Sequence, residues 1–66
     1  MSHVARMKEE HKELDTKLKA LNAFVFGNAL FATLDDIERV AMIKQSAFME
    51  GYLRELEGRI WRAQGN

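Results

Sequence analysis

The sequence predicts an all-α fold: an antiparallel two-helix hairpin that assembles into a helical homo-oligomer. Three observations carry that expectation. Apolar residues recur at alternating gaps of three and four along the first third of the chain. The 66 residues include no Pro, 47% are hydrophobic and 30% are charged, which suits helices with one greasy and one solvated face. The chain also has no Cys to staple it. A core in a chain below ~70–80 residues rarely supplies more than ~3–5 kcal/mol, so self-association is the remaining source of stability.

The seam of the first helix is Val4, Met7, His11, Leu14, Leu18, Leu21 and Val25, with a single polar member. Strict three–four spacing of this kind asks for a close partner helix along most of its length. Lys8, Glu9, Glu10, Lys12, Glu13, Lys17, Lys19 and Ala20 fill the intervening positions with good helix formers. Helix 1 is expected from about 4 to 25. The turn, about 26 to 33, contains Gly27-Asn28, a plausible helix stop. Leu30 and Phe31 are read as a plug closing the hairpin. Thr33-Leu34-Asp35-Asp36 reads as a relative of the capping box, with Thr33 as N-cap and carboxylates at the positive end of the next helix.

Helix 2 is expected from about 34 to 63, before a fraying Gln64-Gly65-Asn66, and the single hairpin domain spans 1–66. Its main face is read as Leu34, Ile37, Ala41, Phe48, Met49, Tyr52, Leu56 and Ile60. Val40, Ile43, Ala47 and Trp61 fall on the opposite side. A lone hairpin buries one stripe per helix, so the second stripe asks for another chain. Gly51 and Gly58 each cost about 1 kcal/mol relative to Ala, tolerable where a helix or ligand comes close.

Three polar residues are read as interrupting the buried faces: His11, Gln45 and Arg59. Buried polar groups cost stability unless hydrogen-bonded. Each has a structural reading beside a functional one. His11 either sets helix register or faces a ligand, Gln45 bonds between helices, and Arg59 serves the helix C-terminus. Met7, Met42 and Met49 read as core filler, and Tyr52 and Trp61 could stack on a base or simply pack.

Several functions are disfavoured. Ten basic residues balance ten acidic ones, against a strongly basic partner of DNA or RNA polymers. No apolar run approaches the length of a membrane span, and the N-terminal residues lack a signal peptide's apolar segment, so a soluble intracellular protein is expected. His3 and His11 with no Cys make a poor metal set. No nucleophile–base pair, Walker motif or dinucleotide loop is visible, so neither catalysis nor a cofactor is expected. Anion binding fits better. In a symmetric oligomer each of Arg6, Lys8, Lys12, Lys17 and Lys19 is duplicated across an axis, which suits a small two-fold anion.

The pattern resembles a known family. Arg6, Glu10, His11, Leu14, Leu18, Leu21 and Phe24 in helix 1, Phe31 and Leu34 in the turn, and Gln45, Met49, Tyr52, Leu56, Arg59 and Ile60 in helix 2 carry the likeness. They are similar to the phage helical hairpins of anti-CBASS cyclic-nucleotide sponges and of a Thoeris anti-defence sponge. The likeness covers about residues 6–60. Its motif M-x-x-Y-x-x-x-L-x-x-R-I is moderately specific, since other amphipathic helices match parts of it.

That resemblance implies a compact hexamer that sequesters cyclic oligonucleotide messengers without catalysis, in the cytoplasm of the infected bacterium. Members stack bases on an aromatic residue of helix 1 and hold the phosphate with a Lys. His11 stands at the stacking position, where a Tyr is expected. The implied ligand set is His11 for stacking, Arg6, Lys8 or Lys19 for phosphate, and Gln45 and Arg59 for polar contacts. The alternative is a small phage structural or protein-interaction hairpin without a nucleotide ligand.

Overall fold

The first helix begins where Ser2 accepts a hydrogen bond from the Ala5 amide through its hydroxyl, satisfying one of the orphan donors of a helix start. In the computed structural model, which describes residues 2–65, helix α1 spans His3–Gly27. It ends at Asn28, whose extended backbone leaves the helix while its amide still bonds the Phe24 carbonyl. The Asn28 side chain then accepts from the Leu30 amide and starts a 3₁₀ turn over Ala29–Thr33. Helix α2 spans Asp36–Ala63 and packs back on α1. The result is a rod 46 Å long and 16 Å across. Met1 and Asn66, the latter assigned by the sequence to the C-terminal tail, lie outside the described residues.

The seam expected of α1 is the seam observed. Met7, Leu18 and Val25 are buried, and Val4, His11, Leu14 and Leu21 are half-buried. The start of α2 differs from expectation. Asp35, not Thr33, is the N-cap: its carboxylate accepts from the Glu38 amide at 2.8 Å. Thr33 instead donates its hydroxyl to the Leu30 carbonyl inside the 3₁₀ turn. Aspartate outcompetes threonine here because a charged acceptor meets the helix dipole directly. Phe31 does plug the hairpin end, edge-on to Phe24 with ring centroids 6.1 Å apart. Leu30 does not; it is exposed.

The larger correction concerns which face of α2 meets α1. The inward residues are Met42, Ser46, Met49, Leu53, Leu56 and Ile60, with gaps of four and three. Leu53 and Leu56 are the most completely buried side chains, and Leu53 is absent from the stripe the sequence suggested. Ile37, Phe48 and Tyr52, assigned to the hairpin core, point outward with Val40 and Ile43. The inward seam is harder to see because a serine occupies one of its positions. Ser46 is buried and donates to the Asn22 carboxamide oxygen at 2.5 Å, so the polar position is satisfied within the hairpin. Gln45 and Arg59 consequently do not interrupt a buried face; both are exposed on the outer side of α2.

Candidate functional site

The seam carries one polar contact that reaches the surface. His11 on α1 and Glu57 on α2 meet with Nε2 and Oε2 2.8 Å apart. An ionised carboxylate only accepts, so the imidazole Nε2 carries the proton and donates. Arg54, one turn earlier on α2, donates to the other Glu57 oxygen at 2.6 Å and to Glu50. The His11 and Arg54 hydrogen bonds together hold the Glu57 carboxyl below its ordinary range. Asp15, one turn after His11, is likewise lowered, first by its hydrogen bond from Lys19 and further by the nearby charges of Lys19, His11 and Arg54. Burial opposes both shifts, at Asp15 more strongly than any single neighbouring charge supports it. Hydrogen bonds thus link Glu50, Arg54, Glu57 and His11 across the two helices, with the Asp15–Lys19 pair one turn further along α1.

His11 and Glu57 form one wall of an open groove of about 330 Å³, completed by Lys8 from α1, by Ile60 and Trp61 from α2 and by Gln64, which caps α2. Each arrives for a local reason. Lys8 lies three residues before His11, one turn away on the same side of α1. Trp61 lies four residues after Glu57, one turn along α2, and 60% of its surface is exposed. Lys8 makes no ion pair with any described residue, whereas Lys19 is committed to Asp15 at 2.8 Å. The groove thus combines a free ammonium, a fixed imidazole, an ionised carboxylate and an open aromatic face. That set can stack a planar ring, pair with an anion and accept from a donor edge.

Of the six residues read from the sequence as ligand contacts, the structure brings two together, His11 and Lys8. Lys19 lies eight residues beyond His11, roughly 12 Å along the helix. Arg6 and Arg59 are exposed and line no groove with His11. Gln45 belongs to a separate groove of about 420 Å³ with Lys44, Phe48, Met49 and Tyr52. There its amide makes a long contact with the Met49 sulfur, 3.9 Å. Glu57 is not among the residues the sequence singles out, and Trp61 carries there both a stacking and a packing reading. The signal for both was available: once Leu53, Leu56 and Ile60 are taken as the inner seam, Glu57 falls beside it, level with the N-terminal half of α1.

Among the described residues no three His, Cys, Asp or Glu side chains gather as a metal site, and no helix is long and apolar enough to cross a membrane.

The family model described as Sequestin matches residues 1–62, nearly the whole chain. A relative from enterobacteria phage T4, described as an uncharacterised 7.5 kDa protein of the denB-rIIB intergenic region, is 35% identical over 60 residues. That alignment covers 91% of this chain and 92% of the phage protein. No solved structure matches the chain significantly.

Proposed function

The chain belongs to the Sequestin family, and on that premise we propose that it is a phage anti-defence sponge acting in the infected bacterial cytoplasm. It binds cyclic oligonucleotide second messengers, cyclic dinucleotides such as cGAMP and by extension cyclic trinucleotides, and withholds them from CBASS-type effectors. It does so by sequestration, without turnover, cofactor or metal. The observation that carries this reading, beside family membership, is the Lys8–His11–Trp61 groove, where an unpaired cation lies next to an exposed aromatic ring. Phosphate and base are the two chemistries such a pairing serves.

The active form in this reading is a homo-oligomer, a hexamer by the resemblance. Two copies related by a two-fold axis present two such grooves to the two halves of a cyclic dinucleotide. The outward apolar side chains of α2, Ile37, Val40, Ile43, Phe48 and Tyr52, supply surface for that association. Lys8 pairs with phosphate. His11 contributes through its ring edge and face, with Nε2 already engaged by Glu57. Arg6, Lys19, Gln45 and Arg59 remain contacts that a neighbouring copy would have to deliver to the ligand.

Calorimetry of the purified chain against a panel of cyclic di- and trinucleotides tests the proposal. The expected result is saturable heat with at least one messenger, recovered unchanged after dissociation. Lys8→Ala should weaken it by about 1.5–3 kcal/mol, the worth of a hydrogen bond to a charged group. Absence of heat with every messenger, at concentrations where the assembly is intact, would overturn the reading. The rival reading, a structural or protein-interaction hairpin, is favoured by the same outward apolar face of α2. Under it, substitutions there change assembly and no nucleotide affinity exists to change.

A further inference from the structure

Phosphate capture accounts for Lys8 but not for Glu57. A carboxylate facing the same groove repels an anion, and here it is kept ionised by His11 and Arg54. Its presence asks for a ligand feature that seeks an acceptor. Each Glu57 oxygen accepts one hydrogen bond from the protein, at 2.8 Å and 2.6 Å. An ionised carboxylate has about four acceptor sites, so each oxygen retains capacity for one more donor. Trp61 stands one turn away on the same side of α2, with its ring open to solvent. A base stacked on that ring lies within the groove that Glu57 also lines.

The nucleobases differ in what such an edge offers. Guanine presents a ring N–H and an amino N–H side by side, a pair of donors that matches a carboxylate. Adenine presents one amino donor next to a ring nitrogen lone pair, which faces the carboxylate unfavourably. Recognition of an unpaired base through this edge, with stacking on an aromatic side chain, is a general mode of nucleotide binding. We propose that the groove selects guanine: the base stacks on Trp61, its two edge donors bond the Glu57 carboxylate, and its phosphate pairs with Lys8. This deepens the sponge reading and rests on it. His11 and Arg54 act as positioning residues, fixing the carboxylate so that its remaining acceptor sites face the groove.

The test is calorimetry of the full chain with cyclic di-GMP and cyclic di-AMP. The wild type should bind the guanine messenger about tenfold more tightly or better, as a good bidentate base contact discriminates by about 1–3 kcal/mol. Glu57→Gln, which keeps the shape but sets an amide N–H against a guanine donor and toward adenine's ring nitrogen, should abolish or reverse that preference. Trp61→Ala should weaken both messengers alike, a loss that would not occur if Trp61 made no contact with the base. Circular dichroism confirms that each variant keeps its helices. Equal affinity of the wild type for the two messengers, or a preference surviving in Glu57→Gln, overturns guanine selection and leaves the sponge standing. Binding of neither messenger overturns guanine selection, while the wider panel, cGAMP included, decides the sponge.

Discussion

Replacing Phe48 with Lys separates the two faces of α2 more sharply than any other change. If Phe48 belonged to the hairpin core, its loss would cost ~3–5 kcal/mol, as much as the whole stability expected of so short a chain. The structure puts it outside: 74% of its surface is exposed in the single chain, so about three quarters of a buried Phe's ~1.5–3 kcal/mol is still to be gained. That leaves about 1–2 kcal/mol per copy for association, doubled across a two-fold interface to about 2–4 kcal/mol. The association constant should fall by roughly thirty- to several-hundred-fold. Sedimentation equilibrium and circular dichroism over a concentration series read both quantities. Phe48→Lys should give smaller species at a given concentration, with mass and helicity recovered on concentrating the protein, since mass action restores what an interface loses. A core defect is independent of concentration. Unchanged mass, or unfolding that no concentration reverses, would refute the assignment of this face to copy–copy contact.

The inner seam and the charge cluster give two further expectations. Leu53→Ala removes a side chain that is 2% exposed and should cost ~2–5 kcal/mol, read as a drop in thermal midpoint far exceeding that of Ile37→Ala on the outer face. Glu57 and Asp15 have depressed pKa values in the folded chain, so they bind protons more readily unfolded. Their stabilisation is therefore complete above the ordinary carboxylate range, about pH 4–4.5, and is lost as pH falls through the lower folded values. Thermal melts from pH 7 to pH 3 should be flat and then decline, and Glu57→Gln should flatten the decline. A decline of equal size in the variant would remove Glu57 from the account.

Helix α1 was legible because its seam admits one register: shifting it puts Lys and Glu inside. Helix α2 carries apolar side chains nearly all round its first half, so periodicity alone supports two registers. Ile37, Phe48 and Tyr52 form as good a stripe as Met42, Met49 and Leu53. What settles the register is polar pairing: Ser46 finds Asn22, and Glu57 finds His11, only when Leu53 and Leu56 face inward. Those pairings join residues 24 and 46 positions apart, and spacing within one helix cannot reveal them. The site suffered from the same ambiguity. His11 and Lys8, both on the legible helix, do line one groove. The position of Glu57 beside them depends on the register of the other helix, and Gln45 and Arg59, expected on a buried face, are exposed. The cap was misplaced by two residues because both Thr33 and Asp35 are sound N-caps, and the choice depends on how tightly the 3₁₀ turn winds.

The inward polar pairs have a further consequence for where function can reside. A hairpin whose seam is internally satisfied, with no described buried side-chain polar atom lacking a partner, has nothing left inside for a ligand to complete. Chemistry is therefore confined to the rim of the seam and to the outer face. The rim offers Lys8, His11, Glu57 and Trp61, three of them charged or able to be. The outer face offers Phe48 and Tyr52, with Lys44 and Gln45 between broad apolar surfaces. The two face different sides of α2: their nearest members, Tyr52 and Glu57, are five residues apart, roughly 7.5 Å along the axis but about 140° around it. An assembly that buries the outer face would leave the rim grooves accessible, so Phe48→Lys should damage nucleotide affinity only where copies share a ligand. Comparing cGAMP affinity with assembly mass across Phe48→Lys and Lys8→Ala decides the matter. If Phe48→Lys lowers both together and Lys8→Ala lowers affinity alone, the messenger is held between copies. If the dissociated Phe48→Lys chain binds as tightly as the assembly, each hairpin carries a complete site.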